Sequence, residues 1–172
     1  MSEADSPWTA IASRAIRVAL ARQDVSYAML ADRLASIGVE ESERALIARV
    51  SRGTVKLTLL LQILHVTDAT PPSLWREALE TDGTWEERSK AVVAAELSRQ
   101  PWVTYPKLLE RLADIGTTVS EQTLTSQLSV GPLPLSLFLQ CVTVLGSSSL
   151  DNYLEWKELL AAVRNTLAAS VE

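Results

Sequence analysis

The sequence predicts an all-α protein made of two tandem domains of four to five helices each. Three observations support this fold class: the chain is similar to itself at a spacing of 78 residues, apolar residues recur at helical spacing, and only 6 of the 172 residues are glycine. Apolar positions that recur every three to four residues form one face of an α-helix, whereas a half-buried strand requires strict alternation. The duplication indicates that both domains share one plan.

The internal duplication is strongest between Tyr27 and Asp68. When this segment is shifted by 78 positions, 17 of its 42 residues are identical to those of the second segment, without a gap. Unrelated segments of this length would share about two or three identities, and a fixed period marks a repeated structural unit. We therefore divide the chain into a first repeat, 8–80, a linker, 81–84, and a second repeat, 85–172, and expect residues 1–7 to be disordered.

The helices of the first repeat have clear start and stop signals. Ser6 and Pro7 are typical of a helix start, Ser26 of a second one, and Gly38 and Gly53 of helix ends. The predicted helical segments are 7–23, from the Ser26 cap to Gly38, 41–51, 56–67 and a short helix opened by 71–73. The fourth of these is apolar nearly all round and should be the central core helix.

The sequence of the second repeat indicates the same series of helices. The segments are 85–100, 105–115, 120–129, 134–145 and a final helix from about Leu150. The final helix carries an apolar stripe over about four turns, consisting of Tyr153, Trp156, Leu160, Val163 and Leu167. This stripe is longer than the domain needs to close its own core, so we expect it to bind a second subunit or another protein partner.

The two repeats differ most in positive charge. Four cations of the first repeat, Arg44, Arg49, Arg52 and Lys56, correspond to Gln122, Gln127, Val130 and Pro134 in the second. The core identities survive while these cations do not, which indicates separate roles for the two copies.

The segment from Ile47 to Gly53, Ile-Ala-Arg-Val-Ser-Arg-Gly, is followed by a leucine-rich helix and resembles the end of the recognition helix in Cro/CI-type repressor domains. Leu30 to Leu34 resembles the second helix of that family. The resemblance covers about 8–79 and, more weakly, 85–153, and it implies helix-turn-helix-like domains that bind DNA. Between Gly38 and Ile47 this chain is about three residues longer than the usual tight turn. A longer signature, Leu-Ala-x-Arg-Leu-Ala-x-Ile-Gly from Leu30 to Gly38 followed by Arg-x-x-Arg-Gly from Arg49 to Gly53, also resembles a bacterial domain family of unassigned function.

The residues themselves also favour a DNA-binding surface on the third helix. At helical spacing Leu46, Ile47 and Val50 share one face, which should be buried. The opposite face and the residues after it are the candidate nucleic-acid contacts, Arg44, Ala48, Arg49, Ser51, Arg52, Thr54 and Lys56. Cations separated by small residues suit a helix that enters the major groove, where Arg can bind guanine. Three acids, Glu40, Glu41 and Glu43, lie at the start of the same helix and would repel phosphate.

Other functions find little support in the sequence. No paired carboxylates, nucleophile motif or phosphate-binding glycine loop is present, so we expect no enzyme activity, no cofactor and no small-molecule substrate. Cys141 and His65 are too few ligands for a structural zinc site, and no apolar run is long enough to span a membrane. The acidic residues before Trp8 do not form a signal peptide. The single cysteine and this start favour a cytoplasmic protein.

Two hypotheses for function remain. The first is a sequence-specific transcriptional regulator that binds duplex DNA through the first repeat, with the second repeat mediating homodimerisation. The second is a non-catalytic adaptor in which both repeats bind protein, for example the transcription machinery or a toxin, without binding DNA. The net charge of −5 and the three glutamates favour the adaptor, and the asymmetric loss of cations favours the regulator.

Overall fold

The computed structural model describes residues 6–130 and 132–171, and within them the fold is all-α with two tandem domains. The first domain contains α1 (Pro7–Arg22), α2 (Tyr27–Ser36), α3 (Glu43–Arg52), α4 (Leu57–Val66), a 3-10 turn (Ser73–Trp75) and α5 (Arg76–Glu80). The second contains α6 (Trp85–Ser98), α7 (Tyr105–Asp114), α8 (Glu121–Ser129), α9 (Leu135–Val144) and α10 (Trp156–Ala169). The predicted order of helices and the predicted fold class are confirmed.

Polar caps explain where most helices begin. The caps, each accepting a hydrogen bond from the backbone N–H three residues further on, are Ser6, Ser26, Ser42, Thr84, Thr104 and Ser120. Such bonds satisfy amide groups that have no partner within the helix. Of the predicted disordered segment, residues 1–5 lie outside the described part of the chain, whereas Ser6 and Pro7 form the start of α1.

The final helix begins later than the sequence indicated. It starts at Trp156 instead of Leu150, because Glu155 and Glu158 form a reciprocal capping box there. Residues 149–153 form turns instead, and Tyr153 and Leu154 are buried. The apolar pattern was correct, but part of it belongs to a buried turn.

The two domains are related by a local two-fold axis. Lys56 and Pro134, which are 78 residues apart, pair with each other in a single antiparallel bridge. The N–H of Leu57 donates to the carbonyl of Leu133 and the N–H of Leu135 donates to the carbonyl of Val55, both at 2.9 Å. Leu57 corresponds to Leu135 and Val55 to Leu133 in the repeat, so exchanging the two repeats converts each of these hydrogen bonds into the other. An axis therefore passes between Lys56 and Pro134.

The packing of the helices follows the same exchange. Helix α1 packs against α9, the central helix of the second domain, and α6 packs against α4, the central helix of the first. Likewise α5 packs on α6, and α10 packs on α1. Each domain therefore supplies its first helix to the core of the other.

One hydrophobic core runs through both domains as a result. It includes buried side chains from every α-helix of the described chain. Helix α1 is central to it, with Ala12, Ala15 and Ile16 fully buried. None of the described helices combines the length and hydrophobicity needed to cross a membrane.

The two-fold relation breaks down at the end of each repeat. Helix α5 has 5 residues, whereas α10 has 14 and continues along α1. The indole N–H of Trp8 donates to the hydroxyl of Thr166 at 3.1 Å, and a carboxylate of Glu158 binds Arg14. Thr166 and Leu167 also lie against Gly116, in the turn between α7 and α8. The same turn in the first domain, at Gly38, is open.

Candidate nucleic-acid interface

Helix α3 is held against α1 and α2 by one buried stripe. Leu46 and Val50 are buried, and α3 packs on both neighbouring helices. The helix ends at Gly53, whose φ of +69° is left-handed and whose missing side chain allows close contact. A Cβ placed there would lie 2.0 Å from the carbonyl oxygen of Thr9. Gly53 thus fixes the end of α3 against α1.

The exposed face of α3 contains a different set of residues from the one that the sequence predicted. Ile47, predicted to be buried with Leu46 and Val50, is 40% exposed. Because the buried stripe follows the spacing Leu46, Val50 and Gly53, Ile47 is turned about 100° away from it. The exposed face therefore contains Arg44, Ile47 and Ser51, and Ala48 is half-buried beside them.

Arg49 is engaged within the protein. Its guanidinium lies 2.8 Å from a carboxylate oxygen of Glu41, and its Nε is buried with no hydrogen-bond partner among the described residues. Glu41 precedes the helix, which begins at Glu43 after the Ser42 cap. The extra length of the turn thus brings one of the three glutamates back onto the helix. This ion pair leaves Arg49 less available to an external anion than the sequence suggested.

The other three cations are exposed. Arg44, Arg52 and Lys56 all reach solvent, and no described carboxylate lies within ion-pair distance of them. Thr54 is exposed between Arg52 and Lys56. Arg52, Thr54 and Lys56 place a positive region at the end of α3 and along the segment that follows it, whereas Arg44 lies in the first turn of the helix.

This positive region reaches the two-fold axis. Along the paired segments burial alternates: Val55 and Leu57 are buried, whereas Thr54 and Lys56 face solvent. In the other segment Leu133 and Leu135 are buried while Pro132 is exposed and Pro134 is half-buried. The axis therefore emerges at the protein surface, between the ends of α3 and α8. We call the region formed by Arg52, Thr54, Lys56, Val130, Pro132 and Pro134 the axis surface.

The two halves of the axis surface differ chemically. The half from the first domain carries Arg52 and Lys56, whereas the equivalent positions are Val130, which is 82% exposed, and Pro134. Sequence comparison identified the loss of charge, but it missed that Lys56 and Pro134 lie side by side at the axis. The pairing of Lys56 with its own counterpart could not be recognised without the three-dimensional structure.

The apolar stripe predicted at the C-terminus is divided in two. Tyr153 is buried, and burial raises the pKa of its hydroxyl while nearby Arg22 opposes that shift. It is therefore part of the core and does not lie on a contact surface. Trp156, Leu160 and Leu167 are each about two-fifths exposed, and Val163 lies half-buried on the same helix. These four residues form the outer face of α10.

The remaining candidates are structural in character. His65 is exposed and its ring lies edge-on to Trp85 at 5.5 Å, while Arg88 stacks on the same indole. Cys141 is buried, which raises the pKa of its thiol to about 12. Trp102, in the segment between α6 and α7, is 68% exposed. Within the described residues, no three His, Cys, Asp or Glu side chains are grouped to hold a metal ion.

Comparison with known proteins identifies the repeat unit. Two segments of the chain, residues 8–71 and 85–150, match a family described as a domain of unknown function, DUF6471. No curated protein and no solved structure shows a significant match to the chain. The two segments coincide with the duplicated helices, from α1 to α4 and from α6 to α9. The chain therefore belongs to the DUF6471 family and carries two tandem copies of its domain.

Proposed function

We propose that this protein is a non-catalytic, sequence-specific DNA-binding regulator that uses the outer face of α3 and the adjoining half of the axis surface. The observation that carries the proposal is a set of three exposed cations on and just after α3, Arg44, Arg52 and Lys56, with no described carboxylate within ion-pair distance of them. In the second repeat the same positions are uncharged. The proposal places the protein in the cytoplasm, as its single cysteine favours.

The chemistry of α3 suits a duplex. Arg44 and Ser51 lie about two turns apart on the exposed face of α3, and Ile47 lies between them. Arg can bind guanine, and an apolar side chain such as that of Ile47 can contact a thymine methyl group. Arg52, Thr54 and Lys56 follow at the helix end and suit phosphate contacts. Glu41 is held by Arg49, so only part of the acidic cluster would oppose the DNA backbone.

The test replaces the cations by the residues that the second repeat carries. In the variant Arg44→Gln/Arg52→Val, duplex affinity should fall, and the slope of log affinity against log salt should decrease by roughly one unit per lost phosphate contact. The readout is fluorescence anisotropy with duplexes selected from a random-sequence pool. Both side chains are exposed, so the fold should be unaffected.

A matched control removes the same charge elsewhere. Lys90→Gln/Arg164→Gln changes two exposed cations on α6 and α10. This control should retain affinity and salt slope. If both variants lose the same affinity for the duplex, the loss reflects only the change in net charge. If the unmodified chain shows no salt-dependent binding, the adaptor hypothesis is favoured.

The outer face of α10 supports binding to another protein, either a different partner or a second copy of this chain. Trp156, Leu160 and Leu167 lie on one outer face at intervals of four and seven residues, and each is about two-fifths exposed. An apolar stripe of this kind is typical of a surface that binds another protein. A second copy of this chain is the simplest partner, because it presents the same apolar face.

Light scattering on Trp156→Glu/Leu160→Glu tests this contact, since both side chains lie on the exposed face. Removing α10 altogether would be less clear, because its inner residues Leu159 and Ala162 are buried in the core. If the unmodified chain is dimeric, the variant should become monomeric without losing helicity. As a control, Met29→Glu alters an equally exposed apolar residue on α2 and should leave the oligomeric state unchanged.

A further inference from the structure

The two-fold relation within one chain has a consequence for how a duplex would lie on it. Local two-fold axes also pass through B-form DNA and relate its two strands, and proteins that bind with matched axes present equivalent elements to two half-sites. In this protein one chain already contains both elements, since α3 and α8 are exchanged by the axis between Lys56 and Pro134.

The axis is accessible to a ligand of this size. It emerges where Thr54, Lys56 and Pro132 are exposed, and α3 and α8 end only a few residues away on either side. Val130 is 82% exposed at the end of α8. A rod-shaped ligand that crosses the axis surface would meet Lys56 and Pro134 at the axis, with the C-terminal ends of α3 and α8 four and five residues away along the chain.

The two sides of the axis would not bind DNA in the same way. The α3 side offers Arg44, Arg52 and Lys56, which can form charged contacts with phosphates and bases. The α8 side offers uncharged groups, with Gln122 and Ser126 exposed along the helix and Val130 at its end. Gln can donate to and accept from adenine, and an apolar side chain can contact a thymine methyl group.

We propose that one chain binds one duplex across its two-fold axis, and that the binding site has two adjacent half-sites of different sequence. The α3 half supplies the salt-dependent part of the affinity, and the α8 half contributes discrimination without phosphate neutralisation. This inference rests on the proposed function and adds to it the number of chains and the asymmetry of the DNA site.

The experiment attaches a DNA-cleaving iron chelate to equivalent positions of the two helices. Glu43 and Glu121 are the first residues of α3 and α8, correspond to each other in the repeat, and are both exposed. The variants Glu43→Cys and Glu121→Cys therefore make the same chemical change at related places. Cys141 is buried and is common to both proteins. The labelled proteins are bound to end-labelled duplexes of about 30 base pairs, roughly three helical turns, selected from a random-sequence pool with the unmodified chain.

The expected result is one chain per duplex by sedimentation, with each probe cutting on one side of the centre. The Glu43→Cys probe should cut one half-site several-fold more strongly than the other, and the Glu121→Cys probe should show the reverse preference. Thermal melts followed by circular dichroism establish that both labelled variants keep the fold.

Each other outcome contradicts the inference in a recognisable way. Cleavage from Glu43→Cys alone would mean that α8 does not meet the duplex, which overturns the two-half-site geometry and leaves DNA binding by α3 intact. Symmetric cleavage by both probes with two chains per duplex would indicate a dimer on a palindrome and would also overturn it. If no duplex is selected, the proposed function itself fails.

Discussion

The two domains of this protein share the same order of helices but have different surfaces. Helices α2, α4, α7 and α9 each have 10 residues, and the pairs α2/α7 and α4/α9 occupy equivalent places about the axis. The first domain is basic at the end of α3, and its α2–α3 turn is open at Gly38. The second is uncharged at these positions, and α10 lies over the corresponding turn at Gly116. Core positions are constrained by packing from both domains, whereas surface positions are constrained only by what each domain binds.

The largest expected effect comes from separating the domains. Helix α1 packs on α9 and α6 packs on α4, so each domain needs the first helix of the other domain to complete its core. Fragments 1–82 and 83–172 should therefore each fail to fold as monomers. Mixed together, they should recover the helicity and cooperative unfolding of the intact chain, as measured by circular dichroism and urea titration. A fragment that folds cooperatively as a monomer would contradict the exchange of helices.

A second prediction compares two glycines of the first domain. Gly53→Ala should cost about 2–5 kcal/mol of unfolding free energy, from left-handed backbone and from overpacking against Thr9. Gly38→Ala has a similar positive φ but open space around it, so its cost should be only about 1 kcal/mol. Urea denaturation of the two variants measures the difference. Equal costs would mean that α3 does not end tightly against α1.

A third prediction concerns the buried hydrogen bond between Trp75 of the first domain and Glu96 of the second. The indole N–H of Trp75 donates to a carboxylate oxygen of Glu96 at 2.7 Å, and both residues are buried. Tyr153 takes the place of Trp75 in the second repeat. Glu96→Ala should destabilise the protein by about 1–3 kcal/mol, because the buried indole N–H loses its acceptor.

Glu96→Gln is the control for this bond, since its amide oxygen can still accept from the indole. Its unfolding free energy should lie between those of Glu96→Ala and the unmodified chain. If both variants are as stable as the unmodified protein, the bond contributes nothing to the contact between domains.

The smallest effect is a pH dependence that is specific to the second domain. Cys141 stands where the first domain has Ile63, and burial raises its pKa from 9.0 to about 12. The unfolded chain loses this proton above pH 9 while the folded chain keeps it, so stability should fall as pH rises from 9 to 12. The slope from this one group is at most about 1.4 kcal/mol per pH unit.

Urea unfolding at pH 8 and pH 10 tests the Cys141 prediction by comparison with Cys141→Ala. The variant should lose less stability between the two pH values, although it is less stable overall. Identical pH slopes in the two proteins would mean that the thiol is more accessible than its burial indicates. Tyrosine and lysine residues titrate in both proteins and cancel in the comparison.

Sequence alone predicted most of the fold, because the relevant signals are local. Serine and threonine caps, glycine stops and apolar spacing determined the helices within a few residues, except at α10, where Glu155 forms a cap that was not recognised. The position of Ile47 was predicted wrongly, since the rotation of α3 depends on where Gly53 meets α1. The pair of Arg49 with Glu41 likewise depends on the path of a turn. Contacts between distant segments, such as Lys56 with Pro134, leave no signal in a single sequence.

The short connection at 81–84 also affects how the protein responds to its own abundance. Two separate chains that exchanged helices in this way would dissociate on dilution, and their paired form would vary with the square of their concentration. Joining the halves by a short segment makes their association intramolecular, with an effective concentration in the millimolar range. The paired arrangement therefore persists at a few molecules per cell. Occupancy of a target by single chains would then rise in proportion to copy number, without the threshold that a dissociating dimer imposes.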